Sequence, residues 1–208
     1  MLQYRTVEPS TLALLNKLMQ IPQLKKFYLV GGTNLSLKFG HRISVDIDLF
    51  STEDFIPSDI SSILEKNFKN DELLYRNTSI GVFATINNIK VDLIRNHNHP
   101  LIFKAETIDG IRFYDDRDIA AMKIFTILKR GQKKDFFDIF ELLKKYNLAQ
   151  IIDFYEKKYP SQNLLITIPQ AITYFDDAEE SEEPISLNNT TWEDVKKGLQ
   201  KAVNNYLK

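Results

Sequence analysis

The chain has no cysteine, so disulfides and thiolate metal sites are excluded, and the composition suits a reducing cytoplasm. Neither sign of charge is in excess. Across 208 residues, 27 Lys and Arg face 28 Asp and Glu, so any contact with nucleic acid must be a local patch. No apolar run approaches the ~18 residues of a membrane-spanning helix. Leu12-Ala13-Leu14-Leu15 is broken at once by Asn16 and Lys17, so no secretory leader is expected. Glycine is scarce, at seven, yet two of the seven are adjacent, Gly31 and Gly32. What is abundant is apolar: 43% of residues, with 14 Phe and 9 Tyr, enough for a substantial core. No segment repeats.

Periodicity divides the chain into two kinds of sequence. Up to about residue 115, short apolar strands alternate with helices. Helices are expected near 10–20, 33–39 (stopping at Gly40) and 57–69. Strands are expected at 27–30, 44–50, 72–76, 80–86 and 89–95, with turns at Asn87-Asn88 and Asp109-Gly110. Beyond Asp116 the pattern is helical: about 117–130, 133–146, 149–158, 161–175 and 191–207. The acidic stretch 176–184 reads as a solvated, mobile loop. The expected class is α+β: a small mixed-sheet core over 1–115 flanked by helices, followed by a helical bundle over 116–208.

Gly31-Gly32-Thr33 closes the strand Phe27-Tyr28-Leu29-Val30 and opens a helix. By itself this is first of all a tight turn, but it also lets backbone N–H groups approach a phosphate at a helix N-terminus, and Thr33 adds a hydroxyl. In 44–50 strict alternation puts Ser44, Asp46 and Asp48 on one face and Val45, Ile47 and Leu49 on the other, the two carboxylates ~7 Å apart. Like charges so placed repel unless the face is wet or a cation offsets them. Asp92, in Ile89-Lys90-Val91-Asp92-Leu93-Ile94, is a third acid in an apolar strand. If the two strands pair, the three carboxylates converge and can hold divalent metal. Lys123 interrupts an apolar helix face, either snorkelling outward or reaching a buried anion. Arg130, Lys133 and Lys134 make a small basic cluster. Asp135 and Asp138 fall in the first turn of the next helix, where acids are favoured by the helix dipole alone. His41, His97 and His99 read as residues of solvated loops.

Taken in order, Gly31-Gly32-Thr33, His41-Arg42-x-Ser44-x-Asp46-Ile47-Asp48-Leu49-Phe50, Val91-Asp92-Leu93, Asp118-Ile119-Ala120-Ala121-Met122-Lys123 and Lys134-Asp135-Phe136-Phe137-Asp138 resemble the AbiEii/AbiGii toxin family. That family lies within the polymerase-β-like nucleotidyltransferase superfamily. The resemblance spans roughly residues 27–145. It implies Gly31, Gly32 and Thr33 at the triphosphate, Ser44 at the nucleotide, and Asp46, Asp48 and Asp92 on Mg²⁺ (or Mn²⁺), Asp92 also serving as base or orienting the acceptor. It further implies Lys123 at the nucleotide phosphates, and Lys134, Asp135 and Asp138 at the nucleotide. The superfamily more usually has Gly-Ser after the first strand, whereas here the hydroxyl comes one residue later. The implied reaction is transfer of a nucleoside monophosphate from an NTP to an acceptor hydroxyl, releasing pyrophosphate. RNA or tRNA is the expected acceptor and a cognate antitoxin the expected protein partner. An antibiotic-type small-molecule acceptor and a non-catalytic nucleotide- or partner-binding module are the alternatives.

Overall fold

The computed structural model describes residues 1–95, 99 and 101–208. Helix α1 (Pro9–Gln20) begins on a proline, which a first helical turn tolerates, and buries Leu14, Leu15, Leu18 and Met19. Strand β1 (Phe27–Leu29) runs into α2 (Gly31–Phe39), and β2 (Ile47–Ser51) returns antiparallel to β1. Helix α3 (Pro57–Asn67) leads to β3 (Leu73–Thr78), β4 (Gly81–Ile86) and β5 (Ile89–Arg95). The β4–β5 turn takes positive φ at both Asn87 and Asn88, 50° and 63°, as a two-residue hairpin requires. Strands β6 (Glu106–Ile108) and β7 (Ile111–Phe113) make a second hairpin through Asp109-Gly110.

Among the described residues, seven strands form one sheet in the order β3-β4-β5-β2-β1-β7-β6. It is mixed: β2 and β5 are parallel, as are β1 and β7, and the remaining neighbours are antiparallel. One apolar cluster packs α1 and α3 with β1, β2, β4 and β5 through residues such as Leu15, Leu18, Ile47, Leu49, Val91 and Leu93. A second gathers Val30 and Leu35 with α4 (Asp116–Arg130), α5 (Lys133–Leu142), α6 (Leu148–Lys158) and α9 (Trp192–Tyr206). The sheet and the helical part after it fit the expected α+β class.

A buried ion pair ties the helical part together. Lys158 Nζ lies 2.7 Å from Asp118 Oδ1, with both side chains at 0% exposure. The same carboxylate accepts the backbone N–H groups of Ile102 and Phe103. Charges so deep need this completeness of partners, because an unpaired one would carry an uncompensated desolvation cost.

Several expectations are corrected. The strand read at 44–50 begins only at Ile47, and Val45 is 56% exposed rather than sharing the core face with Ile47 and Leu49. Residues 44–46 instead approach neighbouring chain segments, with Ser44 N–H donating to Thr6 O. The helix read over 133–146 ends at Leu142, and that over 161–175 shrinks to α7 (Ile168–Ala171). The acidic stretch is not a free loop: Asp176–Glu179 forms a helical turn, α8, and the chain beyond it is pinned at three points. Ser181 Oγ accepts Lys133 N–H, Ile43 N–H donates to Ile185 O, and Leu187 N–H donates to His41 O. His99 packs edge-on to the Tyr159 ring, 4.7 Å between centroids, and burial lowers its pKa, rather than lying in a solvated loop. His97 lies outside the described residues.

Candidate active site

Parallel pairing of β2 with β5 sets Asp48 directly opposite Asp92. Adjacent strands lie ≈ 4.8 Å apart, so the two acids are side by side on one sheet face. The opposite face carries Ile47 and Leu49, exposed by 0% and 1%, which locks the register: a one-residue slip of β2 would put Asp48 into the core. Asp46, just ahead of β2, lines the same cleft, a cavity of about 870 Å³ bounded by the sheet, α4, α5 and residues 181–185.

Burial raises the Asp48 pKa to about 6; the neighbouring Asp92 and Asp46 add to this, while Lys90 and Lys123 oppose it. Lys90 Nζ stands 3.0 Å from Asp92 Oδ2, and Lys134 Nζ 3.8 Å from Asp46 Oδ2. Among the described residues, Asp92 Oδ1 is buried without a hydrogen-bond partner. Among the described residues, no group of three or more His, Asp or Glu side chains is drawn tightly enough to hold a metal ion. The donor chemistry nevertheless fits a hard divalent cation. An orphaned carboxylate oxygen and an acid that resists ionising among like charges are both relieved by added positive charge.

The turn preceding α2 is shaped by these acids. Gly31 has φ +70°, and a Cβ there would stand 2.6 Å from Asp48 Oδ2, so only glycine serves. Thr33 does not leave its hydroxyl toward the cleft: it donates to the backbone oxygen of Asp46 and bonds Ser44 Oγ at 2.9 Å. Thr33 and Ser44 thereby clamp the segment leading to Asp46 onto α2.

Behind the turn lies a buried charge cluster. Asp138, fully buried on α5, receives Arg42 Nε and Nη2, both at 2.8 Å, His41 Nε2 at 2.7 Å and Lys123 Nζ at 2.6 Å. Lys123 also lies 2.7 Å from Asp135. Burial by itself would raise the Asp138 pKa, but Arg42 and Lys123 beside it outweigh this and hold it well below the usual carboxylate range. Burial works against the charge of Lys123, and Asp135 and Asp138 overcome that, holding its pKa above the ordinary value. The ammonium expected at the phosphates is therefore engaged by two carboxylates.

His41, read as a solvated loop residue, is 3% exposed and belongs to this cluster, as does Arg42. Neither is implied as a site residue, although both stand in the His41-Arg42-x-Ser44-x-Asp46 stretch that carries the family resemblance. The local signal is thin: His-Arg directly after a helix-closing glycine looks like a surface turn. Only a carboxylate 96 and 97 positions downstream makes burial of the pair tolerable.

The structure thus brings Gly31, Gly32, Ser44, Asp46, Asp48, Asp92, Lys123, Lys134 and Asp135 to one cleft. Thr33 and Asp138 lie immediately behind it, bonded to cleft residues.

The family model described as "Nucleotidyl transferase AbiEii toxin, Type IV TA system" matches residues 13–206. An uncharacterized protein of Aquifex aeolicus (strain VF5) is 33% identical over 200 residues, covering 93% of this chain and 94% of its own. Among solved structures, ANT(2'')-Ia in complex with adenylyl-2''-tobramycin superposes with a TM-score of 0.55 at 13% identity, over 73% of this chain and 98% of that one. JHP933 from Helicobacter pylori gives a TM-score of 0.52 at 16% identity, over 96% of this chain and 94% of that one. At such identities these two likenesses show the fold alone. With a family model spanning nearly the whole chain and a relative alike over the same span, the chain belongs to the AbiEii nucleotidyl transferase toxin family.

Proposed function

We propose that the protein transfers a nucleoside monophosphate from an NTP to an acceptor hydroxyl, with Mg²⁺ (or Mn²⁺) held by Asp46, Asp48 and Asp92. The observation that carries this reading is the in-register Asp48–Asp92 pair, with Asp92 Oδ1 unpartnered among the described residues, directly beside the Gly31 turn. The cation, when bound, supplies Lewis-acid charge at the phosphates. The first-turn N–H groups of α2 orient the triphosphate. Asp92 takes the proton of the acceptor hydroxyl as its oxygen attacks the α-phosphorus in line; the bond to the bridging oxygen breaks and pyrophosphate leaves. Lys90 and Lys134 keep the carboxylates from repelling the incoming anion before the cation arrives.

Family membership supports a toxin role with a cognate antitoxin, and exposed Arg130 and Lys134 at the cleft suit an RNA acceptor. A second reading, an amine-bearing small-molecule acceptor, is favoured by Glu182 and Glu183 on the same cleft, which repel a phosphate backbone. Incubation with each of the four NTPs radiolabelled at the α-phosphorus, with Mg²⁺, tRNA and an aminoglycoside, separates the two. Label on tRNA supports the first reading and label on the aminoglycoside the second. Absence of label on any acceptor or on the protein, for all four NTPs, would count against both.

A further inference from the structure

Gly32, the second residue of α2, has no positive φ, so its missing side chain answers a neighbour rather than the backbone. A Cβ there would fall on Nη2 of Arg42 and stand 3.3 Å from Ser44 Oγ. Arg42 is 3% exposed yet lines the cleft. Its Nε and Nη2 donate to the two oxygens of Asp138, and Nη1 donates to Ile43 O at 3.0 Å. A guanidinium carries five N–H donors, so one on each terminal nitrogen is left over among the described hydrogen bonds. The group cannot swing away, because Asp138 is itself held by Lys123 and His41.

We propose that Arg42 is a phosphate-binding residue: braced from behind by Asp138 and laid against Gly32 at the N-terminal end of α2, it turns its remaining N–H groups to the NTP phosphates. The inference rests on the nucleotidyl-transfer reading. Planar guanidinium groups suit phosphate oxygens better than an ammonium does, and here the geometry is fixed in advance, so little side-chain freedom is lost on binding. Gly32 is the space that admits the guanidinium.

The test is a double-mutant cycle on the full chain, titrating inorganic tripolyphosphate with Mg²⁺ into wild type, Gly32→Ala, Arg42→Lys and the double variant, with a thermal melt of each. A Cβ at Gly32 is expected to weaken binding about tenfold by displacing the guanidinium, Arg42→Lys by at least as much, and the double variant no further than the worse single one. Additive losses overturn the proposal, since Gly32→Ala would then act on the phosphate directly. A lowered melting temperature with unchanged tripolyphosphate affinity in Arg42→Lys overturns it too, leaving Arg42 a purely structural role. If Arg42→Lys does not fold, the wild-type Arg42 Nε–Hε resonance decides: it shifts on saturation with tripolyphosphate if Arg42 binds the phosphates, and stays put if it does not. A wild type that binds neither tripolyphosphate nor any NTP overturns the nucleotide reading itself and this inference with it.

Discussion

Asp48 stands where ionisation is costly. Its pKa is raised to about 6 from an ordinary 3.8, so in the metal-free protein the folded state holds its proton more firmly than the unfolded state does. The cost of ionising it builds as pH rises from about 4 to 6 and is fully present above that, at roughly 2–3 kcal/mol. Asp48→Asn removes that cost. In EDTA the variant is expected to melt higher than wild type at pH 7.5, with the gap closing near pH 4, while label transfer is lost; a variant that melts lower at pH 7.5 would contradict the electrostatic account. Asp138 presents the opposite case, a carboxylate stabilised by three cationic or hydrogen-bonding neighbours. Asp138→Ala leaves Arg42 and Lys123 short of a buried counter-charge and is expected to cost about 3–5 kcal/mol in urea denaturation. The acids on strands were legible from the sequence because a carboxylate in an apolar alternation is locally anomalous. The Arg42–Asp138 pairing was not, because nothing near residue 42 anticipates residue 138.

Elements were legible where their apolar period had a surface to bury. Helix α1, the β4–β5 hairpin and α9 keep to the pattern closely. Residues 44–50 show where period alone misleads: Val45 and Ile47 occupy equivalent positions in the alternation, yet one is 56% exposed and the other 0%. Chain pairing to Thr6 and Ile185 takes residues 43–44 off the sheet before β2 starts. Ile47→Ala is accordingly expected to cost about 2–5 kcal/mol, and Val45→Thr to stay within about 0.5 kcal/mol of wild type, both read from denaturant midpoints. Equal costs would put Val45 back in the core. The segment 161–175 fails as a helix for a related reason. Leu164, Leu165 and Ile166 are exposed by 40%, 103% and 45%. An apolar period with no packing partner does not offset the cost of nucleating a helix.

At the scale of the molecule, the cleft exists because a sheet face and two helices meet, and its acids gain a purpose if a divalent cation bridges them to a substrate. Mg²⁺ with NTP is expected to raise the wild-type melting temperature and to leave that of Asp48→Ala unmoved, and EDTA is expected to abolish transfer until Mg²⁺ is restored; stabilisation that persists in Asp48→Ala would detach the nucleotide from this site. Segment 181–185, which the sequence marks only as acidic, forms one wall of the cleft because both its ends are held by hydrogen bonds to distant backbone groups. By itself the sequence determined the elements with a clear period, the Gly31-Gly32 turn, and the acids at 46, 48 and 92, since each is written in a few consecutive residues. Tertiary structure alone decided that Asp48 faces Asp92, that Thr33 is turned to Ser44, and that Lys123 and Arg42 share Asp138. These are long-range pairings, chosen by strand register and by the need of buried charges for partners, and no local pattern encodes either.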